Sequence, residues 1–327
     1  MNVFKAMLRV TILGVLAAIA GAAAAQQDYP AKPIRFISPY APGGATSILG
    51  RLVGERLTES WGQPVVLDNR PGGNGVVSAE ALLKSQPDGY TILLISGTAH
   101  LVAPLLIKNF SYDPIASFAP VATLAGGELV LLLHPSVAAN NLREFIALAK
   151  ASPGRLNYST AGNGGMSHLA AELFSSLAGV KMQDVAYKGS TPAVTDLIGG
   201  QVQLSFQNPF SLIAHIKSGR LKAIAITGTT RASALPSVPT FTEAGLPGMD
   251  VRLWYGILAP AATPKPIINK LSAEIAKILA MPDTKDKLGS QGMEPFISTP
   301  EQFDALMRAD SAQYARIIKS ANIKVEN

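Results

Sequence analysis

The sequence predicts an α/β protein of two domains with one cleft between them. Three observations carry this. Short apolar, β-branched runs at 34–38, 64–67, 90–96, 129–133, 202–206 and 221–227 alternate with stretches of helical periodicity, the pattern of mixed or largely parallel sheets flanked by helices. About 300 residues follow a leader-like N-terminal stretch, more than one minimal core needs and a natural size for two domains of roughly 100 to 200 residues. Two glycine-rich turns about 120 residues apart each lead from a strand-like stretch into a helix-like one, where open α/β sheets bind their ligands.

The chain opens with Lys5 and Arg9, an apolar run over residues 10–20, and the small-residue stretch Gly21-Ala22-Ala23-Ala24-Ala25. This is the pattern of a secretory signal peptide at 1–25, cut after Ala25, because the apolar run is short for a membrane span. The sequence has no cysteine. Lipid attachment at a processed cysteine, a disulfide framework and thiolate metal sites are therefore excluded, and the expectation is a periplasmic protein that is not lipidated. Beyond Ala25, 26 basic residues face 22 acidic ones, a net charge of +4. With no cluster of Lys and Arg interleaved with aromatics, nucleic acid is not an expected partner.

Further along, Leu142, Phe145, Ile146 and Ala149 form one helical face behind the capping candidates Asn140 and Asn141. Ile267, Ile268, Leu271, Ile275, Ile278 and Leu279 form a second. Phe303, Leu306, Met307, Tyr314, Ile317 and Ile318 form a third, which Asp310 interrupts. Ala125-Gly126-Gly127-Glu128 and the region 227–239, broken by Gly228 and Pro236, read as crossovers. They divide the chain into a discontinuous first domain, 26–127 plus 231–327, and an inserted second domain, 128–230.

The two glycine turns are Pro42-Gly43-Gly44-Ala45-Thr46-Ser47, preceded by Tyr40, and Ser159-Thr160-Ala161-Gly162-Asn163-Gly164-Gly165-Met166-Ser167-His168. Backbone N–H groups at a helix N-terminus carry partial positive charge and hold a carboxylate or phosphate without a cationic side chain. Glycine lets the ligand approach that backbone closely. The turns read as two halves of one anion clamp.

Enzymatic motifs are missing. The sequence holds no Gly-x-Ser-x-Gly elbow, no Gly-Lys-Ser/Thr phosphate loop and no His-Glu-x-x-His helix. Its four histidines, His100, His134, His168 and His215, are scattered. His168 and Glu172 stand four apart, but two ligands do not make a metal site. His168 either caps backbone in the first helical turn or touches a ligand. Gly162-Asn163-Gly164 begins like a dinucleotide fingerprint, yet Ser167 stands where its third glycine belongs. No metal and no cofactor is expected. The segment from Asn69 to Gly75 either positions the helix after it or binds an anion, and Asp88-Gly89 is a turn. In Tyr187-Lys188-Gly189-Ser190-Thr191-Pro192, Ser190 or Thr191 is either a helix cap or a third anion contact. Trp254 is either core or a wall of the cleft.

The order of these motifs resembles the Bug-type solute receptors of tripartite tricarboxylate transporters over essentially the whole mature chain. The likeness rests on Pro42-Gly43-Gly44-Ala45-Thr46, Asp68-Asn69-Arg70-Pro71-Gly72, Pro87-Asp88-Gly89-Tyr90-Thr91, Phe118-Ala119-Pro120-Val121, Gly162-Asn163-Gly164 with His168, Tyr187-Lys188-Gly189, Gly199-Gly200-Gln201-Val202, Val238-Pro239-Thr240 with Glu243-Ala244-Gly245, and Trp254. The resemblance implies a two-domain, type II periplasmic-binding fold closing on a small carboxylate for delivery to membrane transporter subunits, the receptor itself being a monomer. It implies that Gly43, Gly44, Ala45 and Thr46 face Ser159, Thr160, Gly162, Asn163, Gly164 and His168 across the ligand, with the loop from Tyr187 to Thr191 adding to the second side.

The chain departs from the family pattern at ligand-facing positions. Ser47 stands where relatives often have an acidic residue, Gln207 stands before Asn208 where an Asp is common, and Val185-Ala186-Tyr187 replaces Val-Pro-Tyr. A nearby carboxylate would favour a ligand ammonium and repel a second anion. Its absence points to an amine-free mono- or dicarboxylate. Two other functions share these residues: a sensor presenting bound carboxylate to a membrane histidine kinase, and an enzyme using His168 or Lys188 as base, for which no activated nucleophile stands alongside.

Overall fold

The computed structural model describes residues 29–320 apart from Ala41, Gly43, Gly44, Asn109, Asn163, Lys188, Phe210, Ser211, Ser233, Gln291 and Gly292. The expected signal segment, with its cut after Ala25, and the candidate contacts Gly43, Gly44 and Asn163 lie outside the described residues. In chain order the elements are β1 (Ile34–Ser38), α1 (Ala45–Trp61), β2 (Val65–Asn69), α2 (Val76–Leu83), β3 (Thr91–Ser96), α3 (Gly97–Leu106) and β4 (Phe118–Glu128). Then follow β5 (Val130–Leu133), α4 (Leu142–Ala151), β6 (Asn157–Thr160), α5 (Met166–Ala178), β7 (Gln183–Ala186), α6 (Ser190–Ile198), β8 (Leu204–Gln207), α7 (Ile213–Lys217) and β9 (Lys222–Ile226). The chain ends with β10 (Arg252–Pro260), α8 (Lys265–Ala280), α9 (Pro282–Ser290), β11 (Glu294–Pro295) and α10 (Pro300–Ser320). Among the described residues no helix is long and apolar enough to cross a membrane.

Two sheets result, a six-stranded one in the order β11-β4-β10-β3-β1-β2 and a five-stranded one in the order β7-β6-β8-β5-β9. Strand β1 is parallel to β2 and β3, and β6 is parallel to β7 and β8. The sheets are mixed, because the strands that connect them must reverse. β4 leaves the first sheet and β10 returns to it antiparallel; β5 enters the second and pairs antiparallel with the departing β9. Between them, the Leu129 N–H donates to Thr227 Oγ1 and the Thr227 N–H to the Leu129 carbonyl, both at 2.8 Å. The outward connection is one residue, Leu129, whereas the return runs over residues 227–251.

That places Ala125-Gly126-Gly127-Glu128 inside β4, not in a connection. A Cβ on Gly126 would lie 2.8 Å from the Leu253 carbonyl of the neighbouring strand, so glycine permits this close pairing. Continuous apolar runs such as Thr91–Ser96 and Val130–Leu133 form strands covered on both faces. The strands at 118–128, 157–160 and 183–186 are hard to read locally: the first carries Pro120 and two glycines, and the others are short and polar.

The three predicted helical faces all form. Asn141 caps α4 by accepting from the Glu144 N–H at 2.9 Å, while Glu144 reaches back to the Asn140 N–H at 2.7 Å. Asp310, out of place on an apolar stripe, accepts from Trp254 Nε1 at 2.6 Å and from the Tyr314 hydroxyl at 3.1 Å. It ties α10 to β10. Trp254 is fully buried against Phe303, resolving its two readings in favour of core. One apolar cluster runs from Leu93, Trp254 and Phe303 under the first sheet to Phe174 and Phe206 under the second. Helix α10 packs on both α3 and α5 and so braces the two layers.

The buried His100 Nε2–H donates to the Pro114 carbonyl at 2.7 Å, and burial pulls its imidazole pKa down to about 4 from 6.5. Between those values the unfolded chain takes up a proton that the folded one refuses, so stability falls as pH drops from about 6.5 to about 4, by up to about 3 kcal/mol. His100→Gln is expected to flatten this acid limb in urea titrations run across that range. An unaltered pH profile would locate the effect elsewhere.

Candidate functional site

The first glycine turn connects β1 to α1. Its Tyr40 carbonyl accepts from Asn69 Nδ2 at 2.7 Å, so the segment beginning at Asn69 fastens this turn to β2. Burial pushes the Tyr40 phenol up to about 12. Ala45, Thr46 and Ser47 form the first turn of α1, with Thr46 and Ser47 buried. The N–H groups of such a turn have no intrahelical partner. Thr46 Oγ1 also has none among the described residues.

The second turn connects β6 to α5 and is held from within. The Gly164 N–H donates to His168 Nδ1 at 3.1 Å, the Gly165 N–H to the Gly162 carbonyl at 3.2 Å, and the Ala161 N–H to Ser167 Oγ at 3.1 Å. His168 is buried and stacked on Tyr158, whose hydroxyl bonds Glu172. Of the two readings for His168, the structure displays backbone capping, and Glu172 is engaged with Tyr158. Ala161, Gly162 and Gly165 are partly exposed, while Gly164 among them is buried. Its φ is +72°, and a Cβ there would lie 2.8 Å from Leu106 Cδ1 and 3.2 Å from Val102 Cγ1 on α3. Glycine is required by backbone conformation and by helix packing. Ser159 Oγ donates to the Ala193 carbonyl at 3.1 Å, while Thr160 Oγ1 is buried with no partner among the described residues.

The segment before α6 is tied to this turn: the Tyr187 N–H donates to the Thr160 carbonyl at 3.0 Å and the Gly189 N–H to the Ala161 carbonyl at 3.2 Å. Its Tyr187 hydroxyl donates to Asp196 at 2.6 Å, which pushes the phenol up to about 12. Gly189, not Ser190 or Thr191, occupies the cap position, and those two residues fall in the first turn of α6 with exposed side chains.

A cavity of about 480 Å3 opens between the two sheets. The second sheet contributes Ser190, Thr191, Val194, Thr195 and Ile198 from α6, Gln207 and Asn208 from the end of β8, and Leu212 and His215 around α7. The first contributes Ala45, Leu253, Tyr255 and Met293. Of the candidates described, Ala45, Ser190, Thr191, Gln207 and Asn208 meet here. Thr46 and Ser47 are buried, and they, Ser159, Thr160, Gly162, Gly164, His168 and Tyr187 are not in the lining. Tyr40 borders a separate void of about 10 Å3 beside His100, room for one water at most.

Gln207 is placed by a relay. Ser205 Oγ donates to the Ser159 carbonyl at 2.7 Å, so its remaining capacity is to accept, and Gln207 Nε2 donates to it at 2.9 Å. None of the described lining residues is Asp, Glu, Lys or Arg. The residues that sequence reasoning missed follow two periodicities. Positions 194, 195 and 198 continue the helical stripe that 190 and 191 begin, and Leu253 and Tyr255 flank Trp254, so a strand that buries the tryptophan turns both neighbours the other way. Burial raises the Tyr255 phenol. Met293 and His215 carried no local signal.

Residues 49–323 match the family described as "Tripartite tricarboxylate transporter family receptor". The chain belongs to that family. Among relatives of this receptor, Protein BugT of Bordetella pertussis is 35% identical over 318 residues, 96% of this chain and 98% of that one. The solved structure of Rpa4515 from R. palustris with adipate is 31% identical with a TM-score of 0.79, over 90% of this chain and 99% of that one. Periplasmic binding protein BugD is 32% identical with a TM-score of 0.75, over 90% and 99% respectively. The receptor therefore has the α/β fold of periplasmic solute-binding proteins, as its sequence motifs imply, and its family and neighbours are binding proteins of transport systems.

Proposed function

We propose that this receptor is exported by its N-terminal segment, cut after Ala25 and left unlipidated, and that it binds a small amine-free carboxylate between lobes 26–127 plus 231–327 and 128–230. It then delivers that carboxylate to a tripartite tricarboxylate-type membrane transporter. The observation that carries the reading is the cavity between the sheets, where α1 and α6 present their first turns and no acidic side chain is among the described lining residues. The bound adipate of the R. palustris relative is such a carboxylate. The first-turn N–H groups at Ala45 on one lobe, and those of Ser190 and Thr191 together with their hydroxyls on the other, supply enough donors: a micromolar dissociation constant is roughly −8 kcal/mol, and one charge-assisted hydrogen bond contributes about 1.5 to 3 kcal/mol. The paired segments at Leu129 and Thr227 are the hinge, and closure excludes water and forms the state a transporter recognises. The receptor makes and breaks no covalent bond and uses no cofactor.

A thermal-shift panel of carboxylates tests this, since a ligand at about a hundred times its dissociation constant adds about 2.7 kcal/mol to the folded state. At least one amine-free acid is expected to raise the midpoint and to reduce the radius of gyration in X-ray scattering. A panel with no stabilising acid removes the reading. Calorimetric preference for an amino acid over its deaminated analogue would remove the amine-free specificity.

A further inference from the structure

We infer that the cavity selects monocarboxylates with an uncharged, apolar body over dicarboxylates of the same length. This rests on the carboxylate reading above and narrows it. Along α6 the lining changes character, from hydroxyls at Ser190 and Thr191 to Val194 and Ile198. At about 1.5 Å per residue, Ser190 and Ile198 are about 12 Å apart. A six-carbon acid is about 6 Å long, the rise of four helical residues, so with its carboxylate at the hydroxyl end its far terminus lies level with Val194 and Thr195, at the start of the apolar stretch that runs on to Ile198.

Among the described lining residues no cation stands at that end to hold a second anion. No lining residue described is Lys or Arg. The Thr195 hydroxyl is spent on the Thr191 carbonyl at 3.0 Å. His215 Nδ1 is buried and does not reach the cavity surface. The Tyr255 hydroxyl remains as a neutral group, one hydrogen bond where a desolvated carboxylate needs several. An alkyl or aryl terminus instead gains apolar contact on both walls.

Calorimetry with the full mature chain compares hexanoate and 3-phenylpropanoate with hexanedioate, and includes hexanamide. Both monocarboxylates are expected to bind at least tenfold tighter than hexanedioate, with no binding of the amide. Hexanedioate binding as tightly as hexanoate, or tighter, overturns the selection while leaving a carboxylate receptor in place. Binding of none of the three acids removes both readings, as does an amide that binds as well as its acid. Thr195→Lys, at an exposed position on the cavity stripe, is expected to shift the hexanedioate-to-hexanoate affinity ratio at least fivefold toward the diacid. An unchanged ratio would overturn the placement of the ligand's far end.

Discussion

Gln207→Glu is expected to weaken monocarboxylate binding about a hundredfold at neutral pH. Two unit charges about 5 Å apart at an effective dielectric of about 20 repel by about 3 kcal/mol, and a carboxylate on the cavity wall would meet the ligand's own. The substitution also inverts a hydrogen bond. Because Ser205 Oγ gives its proton to the Ser159 carbonyl, it can only accept from residue 207, and an ionised Glu has nothing to donate. A protonated Glu restores that bond and removes the charge, so affinity in the variant should recover as pH is lowered toward 5 while the parent changes little. Calorimetry at two pH values reads both effects, and circular dichroism checks the fold. Undiminished affinity at neutral pH would take Gln207 out of the site.

Gly97→Ala is expected to cost about 3 kcal/mol or more of folding stability, at the upper end of what overpacking does. A Cβ there would lie 2.2 Å from Trp254 Cε2. The ring has nowhere to go: it is fully buried, its Nε1 is bonded to Asp310 at 2.6 Å, and Phe303 packs edge-on at 5.3 Å between centroids. The urea midpoint should fall sharply in the single variant. Adding Trp254→Phe, which removes the clashing ring, should recover part of the loss, as expected for residues in direct contact. A Gly97→Ala variant with the parent midpoint would show that the tryptophan yields freely. The consequence reaches the cleft, because the fixed tryptophan is what turns Leu253 and Tyr255 toward the cavity.

Much of the fold was legible because the signals are local. Runs such as Thr91–Ser96 declare strands, Asn141 with Glu144 declares a helix start, and the stripe from Ile268 to Leu279 declares a buried helical face. The site was legible in part. Of the candidates that line the cavity, Ala45, Ser190 and Thr191 were legible because turns that end at a helix start announce themselves through glycine and hydroxyl residues, while Gln207 and Asn208 were named from the family resemblance. The demand for glycine at 164 was not legible, because it comes from α3, whose Val102 and Leu106 are about 60 residues away in sequence. Asp310 looked like a defect in a helix until Trp254 supplied its donor.

The amino-acid order by itself determined the alternation of strands and helices, the two glycine turns, the absence of thiol chemistry and the uncharged residues at positions 47 and 207. Each depends on neighbours a few positions apart or on composition alone. Only the tertiary structure decided that Trp254 is core and its neighbours are cavity wall, that His168 spends Nδ1 on the Gly164 amide, and that Leu253, Tyr255 and Met293 face α6. The contact of His168 with Gly164 spans four residues but needs the turn to fold back on its own helix, while the others depend on which elements pack together across dozens of residues, and such pairing is set by the collective fit of both sheets, which no local pattern encodes.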